Sequence, residues 1–451
     1  MNAIGRWGVM VMVMLMLMLV VGARAASAQT SLPLSLDEAI RRGVEQAPRM
    51  AEARAREAAA GATTTARRAD GLPSAFATAG YLRTNHVPAF GFLQSPGSTL
   101  VLFPDIPDNY RVRAEMDVPL YSAGRVKSLT EVARADEAAA GADRGTVEQD
   151  VRLEVIRAYW LLVMARENVS VIERGLERTD AYVRDARSQV DAGVASPSDV
   201  LTAQAQRARQ SVRVVQARNA AASAQLELAR LIGAPPGQSI VTTTAVSAPM
   251  NGIAAVSEQS ADALIARALQ GRSERTSLTE RRTGFQASAV AALANRKPWI
   301  GGALAVEPAS PNSRYIPRSS DWNTSWELGV NLTWPLFDGG KAKANYAAAT
   351  AQADGVEARI ADFDAMVGSD IRQRLLDIDS GRAALTASEE AVTAATEARR
   401  VLEERYRAGV ATSTDVLDAQ VSLLEAELER TNLAASLRLS EARLLRALGG
   451  L

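Results

Sequence analysis

Cysteine is absent from this 451-residue chain, and histidine occurs once, at His86. Without thiols there can be no disulfide, no thiolate nucleophile, no Cys-built metal site and no cysteine to carry a lipid. One histidine cannot make an HExxH motif or any multi-histidine centre. Aromatic residues amount to only 5%, sparse for a compact enzyme of this size, because aromatics normally dominate core burial. Charge of either sign is balanced, 51 basic against 51 acidic residues. That excludes a global field drawing in nucleic acid or an anionic surface. The one phosphate-loop-like dipeptide, Gly340-Lys341, has Pro335 where the first glycine belongs and Ala342 where Ser or Thr is needed. No catalytic centre, metal site or cofactor motif can be read from the sequence.

Long apolar runs are missing too, except at the N-terminus. Arg6 precedes an apolar stretch from Val9 to Val21, and Ala26-Ser27-Ala28 stands before Gln29. This reads as a signal peptide over residues 1–28 with a small-residue cleavage site. The run of about 13 residues falls short of the roughly 20 that a helical span needs. The expectation is an exported chain without membrane-crossing helices.

What the sequence does have is internal repetition, which sets the whole architecture when present. Val118-Pro119-Leu120-Tyr121-Ser122-Ala123-Gly124-Arg125 returns as Trp334-Pro335-Leu336-Phe337-Asp338-Gly339-Gly340-Lys341, 216 positions later. Ala192-Gly193-Val194-Ala195-Ser196 returns as Ala408-Gly409-Val410-Ala411-Thr412 at the same spacing, and Asp199-Val200-Leu201 as Asp415-Val416-Leu417. Upstream the spacing is 225, pairing Asp37 and Ile40 with Asp262 and Ile265, and Pro73 with Pro298. The first copy therefore carries about nine extra residues, which fall in a loop expected from Asn85 to Asn109. The expected organisation is repeat 1 over 29–233, a Ser/Thr/Ala-rich linker over 234–260 opened by Ala234-Pro235-Pro236-Gly237, and repeat 2 over 261–451.

Each repeat reads as helix, two strands, very long helix, long helix. The first helix is expected from Ser35 to about Arg68, with Ser35 and Glu38 as a capping box, and its partner from about Ala261 to Asn295. The very long helices are expected over Gly124–Val190 and Gly340–Ala408. At about 1.5 Å per residue, each would extend roughly 100 Å, which points to coiled-coil or helical-array packing.

The strands are expected at about 73–121 and about 298–337. Trp326, Leu328, Val330, Leu332 and Trp334 alternate with Glu327, Gly329, Asn331 and Thr333. Val112, Ala114, Met116, Val118 and Leu120 alternate with Arg111, Arg113, Glu115 and Asp117. The strands near 74–83 and 299–307 alternate more weakly. Two settings fit a period of two: lipid on one face and water on the other, or a half-buried sheet of a soluble protein. Trp299, Trp322, Trp334, Tyr315 and Tyr81 sit near strand ends, where an aromatic girdle would lie. Four strands cannot close a barrel, and open edges are not allowed in lipid. A membrane setting would therefore need several chains. Phe90, Phe92 and Phe103 lie in the long first loop, either over the outer mouth of such a barrel or against its rim.

The turns after the long helices have a plain structural meaning. Gly193 and Gly409 fit the C-terminal cap position that favours positive φ. Ser196 with Asp199, and Thr412 with Asp415, make S/T-x-x-D boxes, the first with Pro197 at the opening helical position. Capping accounts for Asp199 and Asp415. Asp418 has Thr202 as its counterpart and no cap to serve, yet it shares a helix face with Asp415.

Signal peptide, strand-exit motifs, turn motifs and their order together resemble the TolC-like outer membrane efflux family over essentially the whole mature chain. The resemblance implies an α+β membrane protein. Three chains of four strands would form one 12-stranded transmembrane β-barrel, continued by a long α-helical periplasmic tunnel. It implies a homotrimer in outer-membrane lipid, working with a periplasmic adaptor and an inner-membrane pump in passive export, without nucleic acid, cofactor or catalysis. It places Asp415 and Asp418 in a carboxylate ring at the periplasmic entrance, where cations would be attracted. It places Tyr406 and Asp199 in the links that hold the entrance shut, and Gly193, Val194, Ala195, Ser196, Gly409, Val410, Ala411 and Thr412 at adaptor-contacting turns. The arginine that partners the aspartate in the family pattern falls on Ala411 here, leaving Arg405 or Arg407 as substitutes. The competing readings are a periplasmic helical scaffold and an exported enzyme.

Overall fold

The computed structural model describes residues 32–451 except Pro96, Pro236, Ser247 and Glu258. The expected signal peptide lies outside the described residues. In chain order the elements are β1 (Leu32–Leu34), α1 (Leu36–Gln46), α2 (Pro48–Ala69), β2 (Ser74–Arg83), β3 (Phe90–Ser95), β4 (Ser98–Phe103), β5 (Asp108–Tyr121), α3 (Arg125–Asp191) and α4 (Pro197–Leu231). There follow β6 (Ile240–Thr242), α5 (Ile253–Ser257), α6 (Ala261–Gly271), α7 (Ser273–Ala294), β7 (Trp299–Ser310), β8 (Asn323–Thr333), α8 (Lys341–Arg407) and α9 (Ser413–Ala447). The chain divides into two compact units. One comprises 32–51, 146–272 and 365–451, and the other 52–145 and 273–364.

The second unit holds an antiparallel sheet in the order β2-β5-β7-β8. Register decides what each face carries, since directly paired residues point the same way. Ala77 pairs with Ala114 and Ala114 with Val306, which pairs with Trp326. Met116 pairs with Leu304 and Leu304 with Leu328. One face is thus apolar across all four strands. The weak alternation of β2 and β7 arises because alanine and glycine fill part of that face.

The apolar face is the uncovered one. Trp326 is 69% exposed and Leu328 71%, while Glu327 between them is half-buried. A half-buried sheet of a soluble protein would be the other way round. Burying four large apolar side chains is worth about 6–12 kcal/mol at 1.5–3 each, comparable to the whole stability of a domain. Leaving Trp326, Leu328, Val330 and Leu332 in water would forfeit that. The opposite face carries the charged residues, with Phe76 and Leu82 of β2 as apolar exceptions, and is tied together. Arg113 donates to Glu115 at 3.0 Å, to Glu307 at 3.2 Å and also to Glu327, which in turn accepts from Arg314 at 2.6 Å. Aromatics mark both ends of the strands. Tyr81, Tyr110 and Trp322 form a row with ring centroids 5.0 and 6.2 Å apart, and Trp299 and Trp334 stand exposed at the other end.

In the first unit, β1 and β6 pair in parallel. Their shared anchor is Tyr159, whose buried hydroxyl donates to Leu34 O at 3.0 Å and accepts from Thr244 N at 3.1 Å. The segment expected as a bare linker therefore contributes a strand and the short helix α5. A buried Arg438–Glu441 ion pair in α9 holds it as well: Arg438 Nε donates to Val246 O, and Glu441 accepts from Met250 N. The α8 and α9 helices begin and end 216 positions after α3 and α4.

Other expectations need correction. The helix expected over 35–68 is two helices. Ala47 takes ψ 121 because the ring of Pro48 disfavours the helical region for the residue before it. The helix expected over 261–295 also breaks, at Arg272 with ψ 119. No proline is involved there; the side chain is drawn aside to Ala447 O at 2.6 Å and Asp370 at 2.8 Å. The Ser35–Glu38 box is half formed: Glu38 N donates to Ser35 Oγ, while the Glu38 carboxylate goes to Arg41 and Arg42. The loop expected over 85–109 contains the β3–β4 hairpin.

Candidate functional site

The singled-out turns lie in the first unit, where α3 passes to α4 and α8 to α9. Both long helices end in a Schellman motif. Gly193 N donates to Val190 O and Val194 N to Gln189 O; Gly409 N donates to Tyr406 O and Val410 N to Arg405 O, all at 2.9 Å. Gly193 and Gly409 have φ 77 and 74, the left-handed conformation this motif demands. Val194 and Val410 point into solvent, and Ala195 and Ala411 are half-covered.

Capping follows at once. Ser196 N donates to Asp199 at 3.4 Å and Ser198 N to Ser196 Oγ at 3.3 Å. Thr412 N and Thr412 Oγ1 donate to Asp415 Oδ2 at 2.8 and 2.7 Å, and Asp415 N returns a bond to Thr412 Oγ1 at 3.2 Å. The Thr412 amide, with its hydroxyl and the charge of Arg405, holds the Asp415 carboxyl below the usual range. One oxygen of Asp415 is thus engaged in the cap. Asp418 is exposed one turn on, and among the described residues it has no hydrogen bond or ion pair.

Tyr406 is buried, at 8% exposure, with its ring 5.5 Å from that of Tyr182. The pair sits in a small apolar cluster with Val183, Ala203, Val416 and Leu417. Tyr182 donates to Ser413 Oγ at 2.8 Å. Burial pushes its hydroxyl pKa well up, with Tyr406 and Asp199 adding to the push. Among the described residues the Tyr406 hydroxyl has no hydrogen-bond partner. Within one chain, then, Tyr406 and Asp199 both lie near Tyr182 without bonding to each other. Of the candidate substitutes, Arg407 stands 3.8 Å from Asp185 on α3.

Sequence reasoning missed Tyr182 and the polar layer next to it. Thr179, buried, donates to Gly175 O at 3.1 Å and faces the carboxamide oxygens of Gln210 on α4 and Gln420 on α9, each at 3.4 Å. Nearby, Arg178 pairs with Glu427 at 2.8 Å. The available signal was polar residues at core-facing spacing in otherwise alanine- and leucine-rich helices.

Long paired helices joined to a sheet with an uncovered apolar face define a membrane-anchored helical protein. No helix among the described residues is long and apolar enough to cross a membrane. The sequence model of the outer membrane efflux protein family matches residues 39–234 and 264–450. The chain is 28% identical to protein CyaE of Bordetella pertussis over 339 residues, covering 74% of this chain and 69% of that one. It is also 28% identical to outer membrane protein TolC of Vibrio cholerae over 316 residues, covering 67% and 68%. Among solved structures, the outer membrane protein VceC of Vibrio cholerae superposes with a TM-score of 0.75 at 19% identity, covering 92% of this chain and 96% of that one. The chain therefore belongs to the outer membrane efflux protein family, whose members are channels and not enzymes. Its place is the bacterial outer membrane, extending into the periplasm.

Proposed function

We propose that the chain is one subunit of a homotrimeric export duct. Three copies would each give four strands to a 12-stranded barrel, and the two tandem repeats would extend their helices as a periplasmic tunnel. The duct would work passively in a tripartite efflux or secretion system, receiving cargo from an inner-membrane pump through a periplasmic adaptor. The observation that carries this reading is the four-stranded sheet with an uncovered apolar face and free edges on β2 and β8. Lipid accommodates such a face, and only closure with other copies removes the edges. Two copies would give about eight strands, whose interior is filled by side chains; three leave a lumen. A periplasmic scaffold gives no reason for the apolar face.

The turn residues Gly193–Ser196 and Gly409–Thr412 are exposed or half-covered and rigidly capped, which suits an adaptor contact. Asp418, with the free oxygen of Asp415, would line the entrance, six carboxylates in a trimer. Tyr406 and Asp199 would belong to the links that close it. Planar-bilayer conductance of the purified protein tests this, together with Asp415→Asn plus Asp418→Asn. The expected result is a heat-modifiable trimer with a small cation-selective conductance, blocked by trivalent cations and unblocked in the variant. A monomer that inserts no channel would refute the duct. A conductance indifferent to the variant would leave Asp415 as a helix cap and Asp418 as a solvated surface residue.

A further inference from the structure

The extra residues of the first repeat fall where the β3–β4 hairpin forms, and no ionisable residue occurs from Val87 to Pro104. The hairpin is closely built: a Cβ added at Gly91 would run into Leu100 O. Phe90 pairs with Phe103 and Phe92 with Leu100, so these four share one face. The Phe90 ring lies 5.5 Å from that of Phe92 and 6.4 Å from that of Phe103. All four are exposed, and Leu93 on the other face is 82% exposed. A contiguous exposed apolar patch marks a contact surface. Lipid does not suit this one. β2 runs past Tyr81, in the aromatic row, to Arg83, which pairs with Asp108 at 3.2 Å. Aromatic rows stand at the membrane–water boundary, so the hairpin begins beyond a charged pair outside that boundary.

The β4 side has a partner in its own chain. Arg318, in the loop 311–322 between β7 and β8, donates its amide to Leu102 O at 3.0 Å and sets its guanidinium 5.2 Å from the Phe103 ring centre. That loop is itself preformed: Ser310 Oγ donates to Ser320 O at 2.6 Å, and Tyr315 Oη to Thr324 O at 2.9 Å. Among the described residues β3 pairs only with β4, and its outer edge, with Phe90 and Phe92, is open. Strand order says what can stand there. β3 follows β2, an edge strand of the sheet. On the trimer reading, on which this inference rests, β8 of a neighbouring copy closes that edge, and the 311–322 loop leading into it rises beside β3. We propose that the open side of the hairpin docks on the 311–322 loop of a second copy of this chain. Each hairpin is then held between two loops, its own on β4 and its neighbour's on β3, in a belt around the outer mouth. The loop brings exposed apolar side chains of its own, Tyr315 and Ile316, and the uncharged hairpin does not repel Arg314 or Arg318.

The chain has no cysteine, so introduced thiols are read without background. Full-length Leu93→Cys and Ile316→Cys chains, differently tagged and co-expressed, are treated with a short bismaleimide. The expected result is a covalent dimer carrying both tags, with none from either variant alone. Trimers that yield no such dimer overturn the proposal. So does a dimer from Leu93→Cys alone, which would set the hairpins against one another. Phe90→Ser plus Phe92→Ser should shorten the half-life of the trimer in detergent by about tenfold or more; an unchanged half-life also overturns the contact. Heat-modifiable trimer is scored first in the same preparations. Its absence sinks the trimer reading and this proposal with it, whereas a trimer without the cross-link strikes the proposal alone.

Discussion

In α9 the side chains of Arg438 and Glu441 are buried, at 8% and 3% exposure, one helical turn apart. Arg438 Nη1 donates to both carboxylate oxygens, at 2.9 and 2.7 Å. The remaining partners are backbone groups of the inter-repeat segment: Val246 O accepts from Arg438 Nε, and Met250 N donates to Glu441 Oε2, both at 3.1 Å. Glu441→Leu removes the carboxylate and strands a buried guanidinium, a loss of about 3–5 kcal/mol. The orphaned Met250 amide adds about 1–3 kcal/mol. The easiest relief is to open the segment around 245–253 and hydrate the cation. Amide exchange at Ala248 and Ile253, both hydrogen-bonded within that segment, should then quicken by about 100-fold or more, at 1.36 kcal/mol per decade. Adding Arg438→Met removes the stranded charge at the expense of the Val246 carbonyl. The double variant should recover about 2 kcal/mol, slowing exchange by roughly 30-fold against Glu441→Leu alone. Unchanged exchange in Glu441→Leu, or a double variant no slower than the single, would refute the reasoning.

Three further outcomes are expected. Gly43→Ala would drive its methyl into Val155 Cγ2, and valine cannot swing away, so the helical melting transition should fall with a cost of about 1–3 kcal/mol; Val155→Ala should restore most of it. The Asp415 carboxyl is lowered by its Thr412 bonds, so its contribution is present above the unfolded pKa near 3.9 and lost as pH falls through the folded value. Protection of the Asp415 and Val416 amides, both bonded to Thr412, should accordingly hold at neutral pH and fall only below about pH 4, whereas Asp415→Asn should lower it already at neutral pH. Arg113→Ala would leave Glu115, Glu307 and Glu327 without their shared guanidinium. If the polar face lines the lumen, reversal potentials should move toward cation selectivity; no movement would place that face elsewhere.

Helices and their caps were the legible part. Their signals are local: alanine-rich periodicity over Arg125–Asp191 and Lys341–Arg407, and glycine followed by an S/T-x-x-D box at each turn. A cap forms from residues a few positions apart, so its chemistry is written in consecutive letters. The helix boundary at Pro48 was equally local and could have been read, because proline restricts the residue before it. The matching break at Arg272 could not, since it depends on Ala447 and Asp370, far away in sequence.

By itself the sequence determined the long helices, the capped turns and the existence of two faces on the strands. A period of two separates the faces but is silent about which one is covered. Only the sheet order β2-β5-β7-β8 put the apolar residues of four strands on one uncovered side and gathered Arg113 with its three glutamates on the other. The β1–β6 pairing, the β3–β4 hairpin and the Arg438–Glu441 anchor were likewise decided by tertiary structure. Each depends on the register and distance of groups that meet only after folding. A polar residue at a core position announces that it needs a partner, but the chain must fold before the partner is known.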